Sequence, residues 1–207
     1  MKEQLQKDFD NIIKNLSLSQ RDIEIKRFYL DNFIDRGFPN RREEDWKFSD
    51  LNQIIKKNIG ELSFYSDYTS TNKVDTSVFV DGLEHNKIVF INGRIEKIDF
   101  DYEKKNQIEI IDQSETINKF SNNNSLSDLN NAFTNKSFKI LLKNGYQLQK
   151  PLIIYHTTNS KIWSKNINLR LDFELGKDSS LRLIDLFNDT SEKNFLNIFY
   201  NFNLKEN

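Results

Sequence analysis

Apolar residues recur at helical spacing from the start of the chain. Leu5, Phe9, Ile12, Ile13 and Leu16 make one stripe, and Ile23, Leu30, Phe33 and Ile34 make a second. Ser17-Leu18-Ser19 separates them, and Ser19 is placed to cap the second helix. Gly37 suits the left-handed position just past a helix end, and Pro39 forbids continuation. The pattern predicts a helical hairpin whose two stripes face each other. Asn40 followed by Glu43 has the form of a capping box, and Leu51, Ile54 and Ile55 predict a further short helix.

The segment 61–86 is rich in Ser, Thr, Asp and Asn and predicts a linker or an irregular surface excursion. The period then changes. Residues 88–91 and 94–98, joined by Asn92-Gly93, predict a β-hairpin. Ile108 to Ile111 predicts a strand, Asn122 to Asn124 a loop, and Leu126, Leu129 and Phe133 a short helix. Phe138 to Leu142 predicts a strand that ends at Asn144-Gly145.

The last third alternates most clearly. Ile167, Leu169, Leu171, Phe173 and Leu175 interleave with polar residues; Leu181, Leu183 and Phe187 partly repeat the pattern; Leu196, Ile198, Tyr200, Phe202 and Leu204 repeat it again. Alternation implies one buried face and one wet face. Strand starts recur at about 14–15 residues, too short for helical crossovers and compatible with a meander or with solenoid coils. A solenoid ending near Leu204 would bare an apolar edge, so the chain reads as the front portion of a longer protein. The resulting division is a helical region over 1–60, an irregular linker with a hairpin and short helix over 61–136, and the beginning of a β core over 137–207.

Composition narrows the function. The chain has 207 residues, 37% hydrophobic and 29% charged, and its 17 Phe suffice for a real core. A net charge of -1, with only the short pairs Lys56-Lys57 and Lys104-Lys105, argues against nucleic-acid binding. With no cysteine there is no disulfide and no thiolate to hold zinc or an iron–sulfur cluster, which fits a cytoplasmic protein. Neither a signal peptide nor a membrane-spanning run is present, so no membrane partner is expected. There is no G-x-S-x-G, and the six glycines form no phosphate cradle. The chain therefore reads as a non-enzyme, with no catalytic, cofactor-binding or metal-ligating residue assigned. The only histidines are His85, read as an exposed loop residue, and His156, read as a hydrogen-bonded strand-end residue and the better candidate for a functional contact.

One segment is denser in signals than the rest. Gly37-Phe38-Pro39 is followed by Arg41-Arg42-Glu43-Glu44-Asp45-Trp46-Lys47-Phe48-Ser49. Its charges, among them Arg42, Glu44 and Lys47, read as a local ion-pair set or a docking patch. Trp46 reads as a residue packed under the hairpin, with interface anchoring as the other possibility. This segment resembles the "G-x-P-x-R-x-x-E-x-W-K-Y-T" pattern of the SufD family, with Phe48 and Ser49 where Tyr and Thr are usual. Val89-Phe90-Ile91-Asn92-Gly93-Arg94, Leu129-Asn130-Asn131-Ala132-Phe133 and Pro151-Leu152-Ile153-Ile154-Tyr155-His156 resemble later family segments in the same order, and Asn166-Ile167 and Gly176 fit the coils that follow.

SufD is a subunit of the SufBCD complex of iron–sulfur cluster assembly. The resemblance implies an α+β fold: an N-terminal helical hairpin followed by the first coils of a right-handed parallel β-helix. It implies a non-catalytic scaffold that pairs with a SufB-like homologue and acts with the SufC-type ATPase, the nascent cluster belonging to the whole complex. The family is roughly twice this length, so no cluster ligand is transferred. The alternative is a carbohydrate-binding or carbohydrate-active β-helix, with Tyr146, Tyr155 and Trp163 as stacking platforms.

Overall fold

The structure, a computed structural model, describes residues 2–61, 63–64, 73–113, 124–159, 162–189 and 193–206. In chain order the elements are α1 (Lys2–Lys14), α2 (Gln20–Arg36), α3 (Leu51–Asn58), β1 (Ser63–Phe64), β2 (Asn86–Ile91), β3 (Arg94–Asp99), β4 (Ile108–Asp112), α4 (Ser125–Phe133), β5 (Ser137–Leu142), β6 (Leu152–Thr158), β7 (Lys165–Leu175), β8 (Leu183–Asp189) and β9 (Phe195–Leu204). Much of the expected 61–86 linker and most of the Asn122–Asn124 loop lie outside the described residues.

The helix boundaries follow their local chemistry. Ser19 Oγ accepts from the Asp22 amide at 3.2 Å and starts α2. Gly37, at φ 73°, ends it and donates to the Phe33 carbonyl. The Asn40–Glu43 box forms as predicted: Glu43 Oε1 accepts from the Asn40 amide at 3.2 Å and Asn40 Oδ1 from the Arg42 amide at 3.0 Å. It launches only a single 3₁₀ turn, Glu44–Trp46, before α3. The stripes of α1 and α2 do not simply face each other. Both bury into one cluster with α3, α4 and Phe64, and α2 packs most extensively on α4. Within that cluster Phe133 meets Phe9 edge-on and stacks flat on Phe64.

The strands form two open sheets. In the first, β5 and β9 flank β7 in parallel, β1 pairs with the start of β7, and β4 runs antiparallel to β5. In the second the order is β3-β2-β6-β8, with β2, β6 and β8 parallel and β3 antiparallel. The β2–β3 hairpin turns at Asn92 and Gly93, whose φ angles of 52° and 79° are what a tight two-residue turn requires. From β5 to β9, successive strands alternate between the sheets.

The expected right-handed parallel β-helix is corrected here. Among the described residues the architecture is mixed α/β, with four α-helices and two separate mixed sheets, neither closed nor solenoid-like. Two antiparallel pairings, β2–β3 and β4–β5, break the all-parallel pattern. The cause of the first is legible: the Asn-Gly turn folds β3 straight back on β2, where a coil would have carried it away. Beyond this hairpin, periodicity reported the strands but not their partners.

A second apolar cluster fills the space between the sheets. Ile88, Phe90, Leu152 and Ile154 meet Phe138, Ile140, Leu169, Leu171 and Phe173 there. A third lies on the other face of the β2–β6 sheet, where Val89, Ile91, Ile153 and Tyr155 sit under Val74, Val78 and Phe79. Strand β7 is buried on both faces. Its polar set, Asn166, Asn168 and Arg170, is buried too: Asn166 and Asn168 bond to β9, and Arg170 donates to Asn131 of α4. The asparagines remain satisfied. Asn130 Nδ2 donates to the Leu169 and Asn197 carbonyls at 3.1 and 2.7 Å, and Asn197 Nδ2 donates to the Leu126 carbonyl at 2.9 Å and Asn168 Oδ1 at 3.1 Å. No described helix is long and apolar enough to cross a membrane.

Candidate functional site

Strands β6, β8 and β9 bring three reactive side chains to one point between the sheets. In the β2–β6–β8 sheet, Phe90, His156 and Phe187 share one row, and Ile88, Ile154 and Asp185 the next on the same face. The imidazole of His156 is therefore sandwiched, 5.2 Å from Phe90 and 5.0 Å from Phe187, with both rings nearly parallel to it. This clamp directs Nε2 across the gap, 2.9 Å from the Tyr200 hydroxyl on β9. Asp185 Oδ1 lies 3.0 Å from the same nitrogen.

The electrostatics of this cluster are unusual for a core. Asp185 stands on the inward face of its strand, in a row otherwise made of isoleucines. Its Oδ1 is buried and makes no hydrogen bond of acceptable geometry despite its closeness to Nε2. Burial pushes the Tyr200 hydroxyl pKa up, and the charge of Asp185 and a hydrogen bond to it push further, so the phenol holds its proton. His156 is 2% exposed, whereas the Asp185 side chain keeps 27% of its surface open. The cluster is thus dry on the imidazole side and reachable from the carboxylate side. Proton exchange, or holding a cation, is the chemistry such a trio supports.

Beside the cluster the two sheets end in β8 and β9. Phe187 is 59% exposed, Phe202 50% and Leu204 65%. Phe202 stacks on Phe173 at 4.9 Å and continues the inner apolar row outward. Phe187, Phe202 and Leu204 form an apolar margin beside the inter-sheet core, while Ile184 is exposed on the opposite face of β8.

The other residues singled out in the sequence lie elsewhere. Arg42, Glu44 and Lys47 are exposed, and the only ion pair among Arg41 to Lys47 is Lys47–Glu44, at 3.1 Å. Lys47 also sits over the ring of Phe48, which projects into solvent at 85% exposure. Trp46 is half-buried against the helical cluster, so it packs as expected but not deeply. None of these approaches His156.

His85 differs from its sequence reading. It is 2% exposed; its Nδ1 donates to the Leu83 carbonyl at 2.6 Å and its Nε2 accepts from the Tyr155 hydroxyl at 2.7 Å. That hydroxyl in turn accepts from the Val80 amide at 3.1 Å. Tyr155 is therefore committed to the core, and the Tyr146 hydroxyl is held by Glu103 at 2.7 Å. Of the three aromatics considered for sugar stacking, Trp163 alone is open, at 54%, with Lys193 over its ring.

Sequence reasoning missed Asp185 and Tyr200 as partners of His156. The available signal was a carboxylate at an inward position of a strand, between Leu183 and Phe187. Comparison of the chain with protein-family models and with curated proteins finds no match.

Proposed function

We propose that this chain is a non-catalytic scaffold subunit in iron–sulfur cluster assembly, similar to SufD, acting in the cytoplasm with a SufB-like homologue and a SufC-type ATPase. The process rests on the ordered sequence segments from Gly37 to Gly176. The observation that supports a scaffold role is the margin of β8 and β9: two neighbouring strand edges carry Phe187, Phe202 and Leu204 in the open. Exposed parallel edges flanked by apolar side chains are what a partner strand or sheet would cover.

The test is co-expression with a SufB-like protein and SufC from the same source, followed by pull-down on this chain. A complex is expected with the SufB-like protein. It should be lost in a Phe187→Ser/Phe202→Ser variant whose circular dichroism matches the wild type. No complex with either partner, or a complex indifferent to both substitutions, would overturn the reading.

A further inference from the structure

The geometry points to a binding site for a divalent first-row transition-metal ion at His156, Asp185 and Tyr200. The inference rests on these side chains and is independent of any assembly partner. His156 Nε2 has two oxygens at 2.9 and 3.0 Å, one phenolic and one carboxylate. An ion with bonds of ~2.1 Å separates neighbouring octahedral ligands by about 3.0 Å, so these donors already stand at coordination spacing. Imidazole with carboxylate and phenol oxygen suits the borderline divalent ions, such as manganese, cobalt and zinc, better than soft ions that prefer sulfur.

Two further observations separate this trio from an ordinary polar cluster. Asp185 Oδ1 is buried 3.0 Å from Nε2 yet makes no well-aligned hydrogen bond there, so its lone pairs are not fully used by the protein. The His156 ring is fixed by stacking on both faces, so Nε2 is aimed before any ligand arrives. Access is available along Asp185 at the margin of β8, and water can complete the coordination from that side.

The experiment uses the whole chain, stripped with chelator and titrated with Co²⁺, Mn²⁺ and Zn²⁺ by calorimetry. Co²⁺ is also followed by its visible absorption. We expect one equivalent bound, a metal-dependent rise in melting temperature, and ligand-field bands for Co²⁺. Asp185→Asn keeps the shape and removes the charge, and should weaken binding at least tenfold. Tyr200→Phe should weaken it and shift the Co²⁺ spectrum. Both variants are compared only after their metal-free circular dichroism is shown to match the wild type. If either misfolds, the wild-type titration decides by itself: saturable binding of one equivalent with the spectral change supports the site. No binding up to millimolar metal, or binding unchanged in folded Asp185→Asn, would overturn it and leave a hydrogen-bonded cluster.

Discussion

The ammonium nitrogen of Lys26 lies 2.5 Å from the carbonyl oxygen of Thr134, just past the end of α4. It also reaches the Asn131 and Ala132 carbonyls at 3.2 and 3.4 Å. A cation from α2 thus closes the negative end of α4, where free carbonyls would otherwise be buried. Lys26 is 3% exposed, and this burial pulls its pKa down from 10.5 to about 7, against a weaker upward pull from Asp22. Between those values the unfolded chain binds a proton that the folded one gives up. The contribution is therefore fully present above about pH 10.4 and lost as pH falls towards about 7. Wild-type stability relative to Lys26→Met should rise with pH across this window, by at most about 1.4 kcal/mol per unit. Urea melts of both proteins at pH 7 and pH 9 measure the difference; a gap that does not change with pH would refute it.

Glu103 joins the segment after β3 to the turn before β6. Its carboxylate accepts from Asn86 Nδ2 and Tyr146 Oη at 2.7 Å each, and from the Gln149 and Lys150 amides at 3.1 to 3.2 Å. Burial would raise its pKa, but these hydrogen bonds outweigh that and hold it below the usual range. Glu103→Gln should cost about 1–3 kcal/mol at neutral pH. The deficit should shrink as pH falls through the depressed Glu103 value, because the wild type then loses the same charge. Acid titration of both proteins by tryptophan fluorescence tests the convergence.

Gly176 is packed against the neighbouring turn. A Cβ at this position would lie 2.5 Å from the Asn144 amide nitrogen and 2.7 Å from the Lys143 carbonyl carbon. The turns are locked by Gly176 N–H on the Leu142 carbonyl at 2.8 Å and Gly145 N–H on the Lys177 carbonyl at 2.7 Å, so backbone would have to move. Gly176→Ala should cost about 1–3 kcal/mol, the range for overpacking. Thermal denaturation checks this, and an unchanged melting temperature would contradict the close approach.

Tyr155→Phe removes one oxygen and leaves two groups without this partner, the buried His85 Nε2 and the Val80 amide. The expected loss is about 1–3 kcal/mol. Faster hydrogen exchange should be concentrated at Val80 and the residues around Phe79, which this contact ties to the β2–β6 sheet. Uniformly faster exchange across the chain would show a global effect instead.

Much of this fold was legible because its signals are local. The caps at Ser19 and Asn40, the Asn92-Gly93 hairpin, the short helix through Leu129, and the runs at Ile167 and Leu196 all form where the sequence places them. Pairing was not legible, since alternation defines a face but names no neighbour. The β2–β3 hairpin was legible from its Asn-Gly turn, but the antiparallel pairing of β4 with β5 was not. The wet face assigned to β7 was a second failure, because Asn166 and Asn168 look solvated in sequence but find buried partners on β9. His156 was visible as a candidate. Its partners were not, because Tyr200 passed for an ordinary core position and Asp185 interrupted a weaker repeat.

The asparagine chain from β7 through β9 to α4 also has a consequence for how the protein reaches this state. Because facing directions alternate residue by residue, displacing β9 by a single position along β7 would turn Asn197 into the oily gap and thrust Ile198 at the Asn168 amide. Each amide answers to a specific mate, so such a misaligned pairing forfeits several contacts at once. The ladder works as a proofreading device: it adds little adhesive strength of its own, but it makes every wrong alignment of the final strand costly.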